Sequence, residues 1–233
     1  MAGSQFRTVL GDEETIIAYE LGAKSQLAEG LVQLNGALFY YDYQDIQVFQ
    51  VIPGDSFIPQ QKLDNAGDAE VYGGELELVA TPTDGLYLSL GLGYVHSEFK
   101  ELAFGDQDLS GNQLANSPEW TANGIARYDW DLGSGGGLYL QADFTYSDEY
   151  YFDVFNREYT SQDSYTIWGA RSGYVAASGA WEVNLWGKNI TDEDYLPWGI
   201  DVGADLNSFG LVQMMPSRGR TYGVEFRAYL GEG

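Results

Sequence analysis

Cysteine is absent from the 233 residues, which removes disulfides, thiolate chemistry and cysteine metal sites together. Histidine occurs once, at His96, beside Ser97. Both lie in an alternating stretch, where neighbouring residues point to opposite faces, so they cannot form a nucleophile–base couple. No phosphate-binding glycine loop and no metal-ligand cluster accompanies them, so neither an enzyme nor a cofactor-dependent protein is expected. Basic residues are scarce: 11 Lys and Arg against 35 Asp and Glu, a net charge of −24. Phosphate binding needs clustered Lys and Arg, so a nucleic-acid partner is excluded. The acidity reads either as solubility or as an external surface that bridges cations or discourages anions. No run of 18 apolar residues exists, which excludes a transmembrane helix but not membrane-crossing strands, whose alternation hides from hydropathy scans. The opening MAGSQFRTVLGDEE has no basic n-region and no apolar h-region, so it is not read as a signal peptide.

What is abundant is tyrosine (18), glycine (30) and a period of two. High Tyr and Gly favour strands joined by tight turns. Leu86, Leu88, Leu90, Leu92 and Tyr94 alternate with Tyr87, Ser89, Gly91, Gly93 and Val95. Tyr222, Val224, Phe226, Ala228 and Leu230 alternate with Thr221, Gly223, Glu225 and Arg227 in the last run. Such stretches are two-faced strands. Their facing in SYTIWGARSGYV (164–175) is not fixed by pattern alone. Nine such strands are expected, and their connections run short, long, short, long from first to last. The long ones fall near 53–63, 101–118 and 153–163 and before the last strand. Short turns on one side and long loops on the other describe an antiparallel up-and-down transmembrane β-barrel of the outer membrane. The last strand follows a long loop, so it descends from outside and leaves the C-terminus in the periplasm. Residues 1–14 then read as the remnant of an extracellular loop, and 15–233 as barrel strands. Bacterial single-chain barrels have even strand numbers, so nine implies missing neighbours.

The end of the chain carries a narrower likeness. LWGKNITDEDY followed by SRGRTYGVEFRAYL resembles the last two strands of TonB-dependent receptors. Asn189, Ile190, Thr191 and Asp192 match the element after the penultimate strand in that family. Arg220, Thr221, Tyr222 and Gly223 match the motif that opens the last strand, which continues through Phe226. EETIIAYELGAKS, NAGDAEVYGGELEL and LSGNQLANSPEWTANG are similar to segments that recur, in this order, toward the end of those barrels. Family members end on an aromatic residue, whereas this chain runs past Tyr229 to Leu230, Gly231, Glu232 and Gly233. That departure bears on how the barrel-assembly machinery would read the C-terminus.

The resemblance implies nine strands of a 22-strand barrel, with the plug domain and thirteen strands outside this chain. It implies outer-membrane lipid, TonB, the plug and the barrel-assembly machinery as partners, and energised uptake of a scarce small molecule: an iron–siderophore, a corrinoid or a carbohydrate. Glu75, Glu77, Asp143, Glu225 and Arg227 are expected to line the lumen; simple hydration of a polar face would use the same residues. Phe57, Tyr150, Tyr151, Phe152, Trp198, Met214 and Met215 sit in the long loops and could stack on a ligand, or pack loop against loop. Tyr19, Tyr40, Tyr94, Tyr128 and Tyr146, near strand ends, suit interfacial girdles. Asp106, Asp108 and Ser110 imitate the start of a calcium loop, but Ser117 stands where a bidentate acid is required, so no metal is expected. Two other architectures share the pattern: a complete small barrel of eight or ten strands acting as a passive pore or adhesin, and a soluble all-β binding module. The second would need a layer covering its apolar face, and no spare helix or sheet is evident.

Overall fold

The computed structural model describes residues 13–52, 60–104, 107–202 and 211–230. Nine long strands follow one another: β1 (Thr15–Leu27), β2 (Val32–Ile52), β3 (Gln60–Ala80), β4 (Leu86–Phe104) and β5 (Trp120–Asp131), then β6 (Gly137–Ser147), β7 (Tyr165–Val175), β8 (Trp181–Lys188) and β9 (Thr221–Ala228). Each pairs antiparallel with its neighbours in sequence, giving one open sheet with β1 and β9 as free edges. The expected alternation of short turns and long loops holds throughout. One expected loop is shorter: Gln60–Leu63 pair with Phe49–Ile52, so β3 already begins within 53–63.

The register sorts the side chains. Leu21, Leu38, Leu76 and Leu92 share one face, as do Leu34, Leu78 and Leu90. Across β6 to β9 that face continues through Leu140, Leu185 and Val224. Pairing fixes the strand that pattern left open: Trp168 lies opposite Phe144 and Tyr174 opposite Leu138, so Trp168 and Tyr174 join the apolar face. No layer covers this face among the described residues; Leu21 is 75% exposed and Val224 70%. A soluble sheet cannot leave so much contiguous apolar surface in water.

Aromatic contacts bracket the leucines. On the loop side Tyr19–Tyr40, Tyr72–His96, Tyr94–Trp120 and Phe144–Trp168 form a row. On the turn side Tyr128–Trp130, Tyr174–Trp181 and Trp181–Phe226 form another. From Trp120 to Tyr128 along β5, at about 3.3 Å per residue, the rows stand roughly 26 Å apart along the strand. With the usual tilt of about 40° this becomes roughly 20 Å, close to the apolar band of an outer-membrane wall.

The loop side holds the small hydrophobic core. Val48, Ala69, Phe99, Leu102 and Leu109 are buried there, flanked by Tyr43, Ile46, Leu114, Val154 and Phe155. Three irregularities aim these residues. β2 and β3 slip register between Tyr43 and Ile46, where Asp45 takes a φ of 57°, and again between Ile46 and Gln47, and β3 and β4 slip between Asp68 and Ala69. The Asp68 carboxylate accepts the Asp45 N–H at 3.1 Å and holds the first of these in place. Such bulges twist and bend the strands just where they leave the apolar band. At the turn side, Gly85 (φ 81°) brings the chain against β5, its carbonyl accepting Asp129 N–H at 2.8 Å; a Cβ there would lie 2.3 Å from Asp129 O.

Candidate functional site

Two surfaces remain once the apolar face is set aside: the polar face of the sheet and the loops above it. On the polar face, Asp129, Tyr139, Gly173, Asn184 and Glu225 form one row across β5 to β9. Arg127, Gln141, Arg171, Trp186 and Gly223 form the next. Asn184 is only 1% exposed and anchors the cluster, its carbonyl accepting Tyr139 Oη–H at 2.6 Å. Its amide donates to Glu182 at 3.1 Å and to Glu225 at 3.4 Å. Arg171 donates from Nε to Tyr139 Oη (2.7 Å) and from Nη2 to Glu225 Oε1 (3.0 Å). Arg227 bridges Glu182 (3.2 Å) and Glu225 (2.8 Å), while Arg127 stacks over the Tyr139 ring at 3.8 Å. The network borders an open cavity of about 310 Å³ lined by Arg127, Tyr139, Gln141, Arg171, Glu182 and Arg227. Three guanidiniums thus gather in a chain that has few cations.

Glycines let these side chains lie flat. A Cβ on Gly173 would meet Asn184 Oδ1 at 2.2 Å and Tyr139 at 2.3 Å; one on Gly223 would meet Trp186 at 2.6 Å, and one on Gly169 would meet Asp143 at 2.2 Å. The polar wall is therefore low in relief. Glu75 and Glu77, as well as Asp143, Glu225 and Arg227, all fall on this face, opposite to the leucines.

The loop residues divide. Phe57 lies outside the described residues. Tyr150 and Phe152 are buried, their rings edge-to-face at 5.5 Å, and Tyr150 Oη donates to Leu196 O at 3.3 Å. Burial, first of all, with Tyr165 and Tyr195 nearby, pushes the Tyr150 phenol up to about 12. Tyr150–Tyr151 pair with Ser161–Gln162 in a short hairpin. A second hairpin pairs Trp198–Val202 with Leu211–Met215. Phe152 and Met214 converge on Gly199, where a Cβ would meet both within 2.7 Å. Trp198 and Met215, paired across that hairpin, are open to solvent at 41% and 54%. Tyr150, Phe152 and Met214 thus pack loop on loop, while Trp198 and Met215 remain available. Asp108 is spent locally: its carboxylate accepts the Ser110 hydroxyl (2.6 Å) and N–H (3.0 Å), which hold it below the usual carboxylate range.

The motif after β8 is a clasp. Asn189, with φ 50° and 5% exposed, accepts Glu193 N–H and donates to Glu193 O, both at 2.8 Å, and donates to Arg218 O at 3.4 Å. Asp192 Oδ1 accepts the Arg220 N–H at 2.8 Å. Thr191 is exposed, as are Tyr222 and Phe226 on the apolar face of β9. His96 faces outward, against Tyr72 and 3.1 Å from Glu119, while Ser97 bonds Ser117 on the other side, so the pair is separated as expected.

Comparisons with known proteins agree with this geometry. A family model described as "TonB dependent receptor-like, beta-barrel" matches residues 3–190. The ferric yersiniabactin uptake receptor FyuA of Yersinia pestis is 25% identical, with a TM-score of 0.74 over 92% of this chain and 30% of its own. The siderophore receptor PiuA of Acinetobacter baumannii is 23% identical, TM-score 0.68, over 91% and 28%. A copper transporter, OprC, shares the fold at 16% identity and TM-score 0.67, over 91% and 32%. The chain thus spans less than a third of each structure. It belongs to the TonB-dependent receptor β-barrel family, whose members are proteins of the outer membrane.

Proposed function

We propose that this chain supplies the last nine strands of a 22-strand receptor for energised uptake of a scarce ligand, with an iron–siderophore first among the candidates and a corrinoid or carbohydrate as the others. The observation that carries the reading is the open, two-faced sheet: nine antiparallel strands, apolar on one face and charged on the other, with no hydrogen-bonded pairing between β1 and β9 among the described residues. In this reading Glu75, Glu77, Asp143, Glu225 and Arg227 line the lumen. The Arg127–Arg171–Arg227 network faces the plug, residues 1–14 come from an extracellular loop, and the C-terminus lies in the periplasm. Trp198 and Met215 are the loop residues best placed to touch a ligand. The barrel-assembly machinery would insert the wall, and TonB would act on the plug. The free edges weigh against a complete small pore.

The test is uptake in the source bacterium with the encoding gene deleted. Radiolabelled ferric siderophores, cobalamin and oligosaccharides are supplied with and without a protonophore. Loss of one protonophore-sensitive uptake is expected. Uptake that is lost on deletion yet insensitive to the protonophore would overturn energised transport in favour of a passive pore. A reading frame upstream that encodes a plug and further strands is expected as well.

A further inference from the structure

We infer that the three long connections visible above β4 to β9 form one mechanical unit, keyed by Phe155, Asn156 and Arg157, so that a ligand touching one connection displaces all three. These three consecutive residues each reach a different partner. The Phe155 ring enters the loop-side core, edge-on to Phe104 at 4.8 Å, beside Leu109 and Leu114 of the first connection. Asn156 then takes hold of the backbone of that connection. Its Oδ1 accepts Gln113 N–H at 2.6 Å, and its Nδ2 donates to Gln113 O at 3.0 Å. One side-chain amide thereby serves both backbone groups of a residue 43 positions away, as a neighbouring strand would. Asn156 sits at φ 52°, a left-handed conformation that asparagine tolerates better than most residues. Arg157 turns the other way and bonds Asp201 of the third connection at 2.6 Å, with side chains 17% and 6% exposed.

Other contacts reinforce both junctions, with the second connection in the middle. Asn112 Nδ2 donates to Val154 O at 2.9 Å, and Asn116 N–H to Tyr151 O at 2.8 Å, joining the first connection to the second. Gln162, 7% exposed, accepts Leu196 N–H at 2.6 Å, and Tyr165 stacks on Tyr195 at 4.4 Å, joining the second to the third. Most of these ties involve a backbone group, and the ion pair and the ring stack among them are at least half-buried. A group of loops bound this way has one opening equilibrium, not three. Coupling between loops follows from it, because an element with two arrangements is biased by whatever touches any part of it.

The experiment is hydrogen–deuterium exchange on the full-length receptor that carries this chain, in detergent micelles, unaltered and with Asn156→Ala. The substitution is expected to speed exchange about tenfold at Gln113 and Asn116 in the first connection, and at Leu196 in the third, while β5 and β6 stay protected. Faster exchange confined to 153–158 would overturn the inference. If Asn156→Ala fails to fold, the unaltered contacts can be read directly. The chain has no cysteine, so Gln107→Cys with Glu158→Cys, and Glu158→Cys with Asp194→Cys, carry spin labels at exposed sites only. Narrow distance distributions that shift together on adding a mild denaturant are expected; distributions that broaden independently would sink the idea. Either readout is independent of which ligand is carried, so failure here leaves the uptake reading standing.

Discussion

Asp192 holds Arg220 across the whole connection between β8 and β9, accepting its N–H at 2.8 Å and standing 3.5 Å from its guanidinium. Asn189, three residues earlier, holds Arg218 O and both backbone groups of Glu193. The family motif is thus a pair of grips on a strand that returns from far away in sequence, and it requires no ligand.

The two grips should differ in weight. Asp192 and Arg220 are about half exposed, so Asp192→Ala is expected to cost about 1 kcal/mol, mainly the lost N–H partner. Asn189→Ala removes three part-buried hydrogen bonds to backbone groups from a buried, left-handed position and is expected to cost about 2–3 kcal/mol. Urea unfolding in micelles, followed by tryptophan fluorescence, measures both. The opposite order would place the weight on the ion pair.

Membrane burial of the leucine face makes a second prediction. Leu92→Arg and Leu140→Arg, near the middle of the band, should each cost about 2–4 kcal/mol in folding into lipid vesicles. Asn123→Arg, on the polar face, should be within about 1 kcal/mol of the unaltered chain. Equal costs on the two faces would contradict a lipid-facing wall.

The glycine recesses make a third. Gly173→Ala places a Cβ 2.2 Å from Asn184 and should cost about 1–3 kcal/mol. Gly22→Ala, whose Cβ would meet Gly36 O at an ordinary 3.5 Å, should be nearly neutral. Matching unfolding midpoints for the two variants would show that the Tyr139–Asn184 pair can simply move aside.

Tyr150 gives a pH prediction. Its phenol is raised in the folded loops, so the folded state holds the proton more tightly than the unfolded one. The contribution is complete below the unfolded value near 10 and is lost as pH rises through about 12. The difference in 295 nm titration between the unaltered chain and Tyr150→Phe should therefore have its midpoint near 12. A midpoint near 10 would mean that the ring is open to water.

The sheet was legible because a membrane wall writes its two faces into alternate residues, as Leu86–Tyr94 shows. Strand β7 was not, since both faces mix bulk with small residues: Trp168 and Ala170 on one, Ile167 and Gly169 on the other. The loop-side core was hidden for another reason. Val48, Ala69, Phe99, Leu102 and Leu109 come from separate stretches and meet beside three register slips. The split among the loop aromatics is equally non-local. Phe152 is buried because Gly199 and Met214 arrive from a hairpin far along the chain, while Trp198 points the other way on that same hairpin. The motif residues Asn189 and Asp192 were visible by resemblance, but their partners at Arg218 and Arg220 required the fold.

The flat-lying side chains of the polar wall tie residues together in inheritance as well as in space. Tyr139 fits because residue 173 is glycine, Trp186 because residue 223 is, and Asp143 because residue 169 is. A larger residue at any of these glycines becomes tolerable only after its neighbour has shrunk, and a shrunken neighbour leaves a dent that a larger residue can then fill. Related walls should therefore change at these positions in pairs, each exchange preserving the contour while replacing both of its makers.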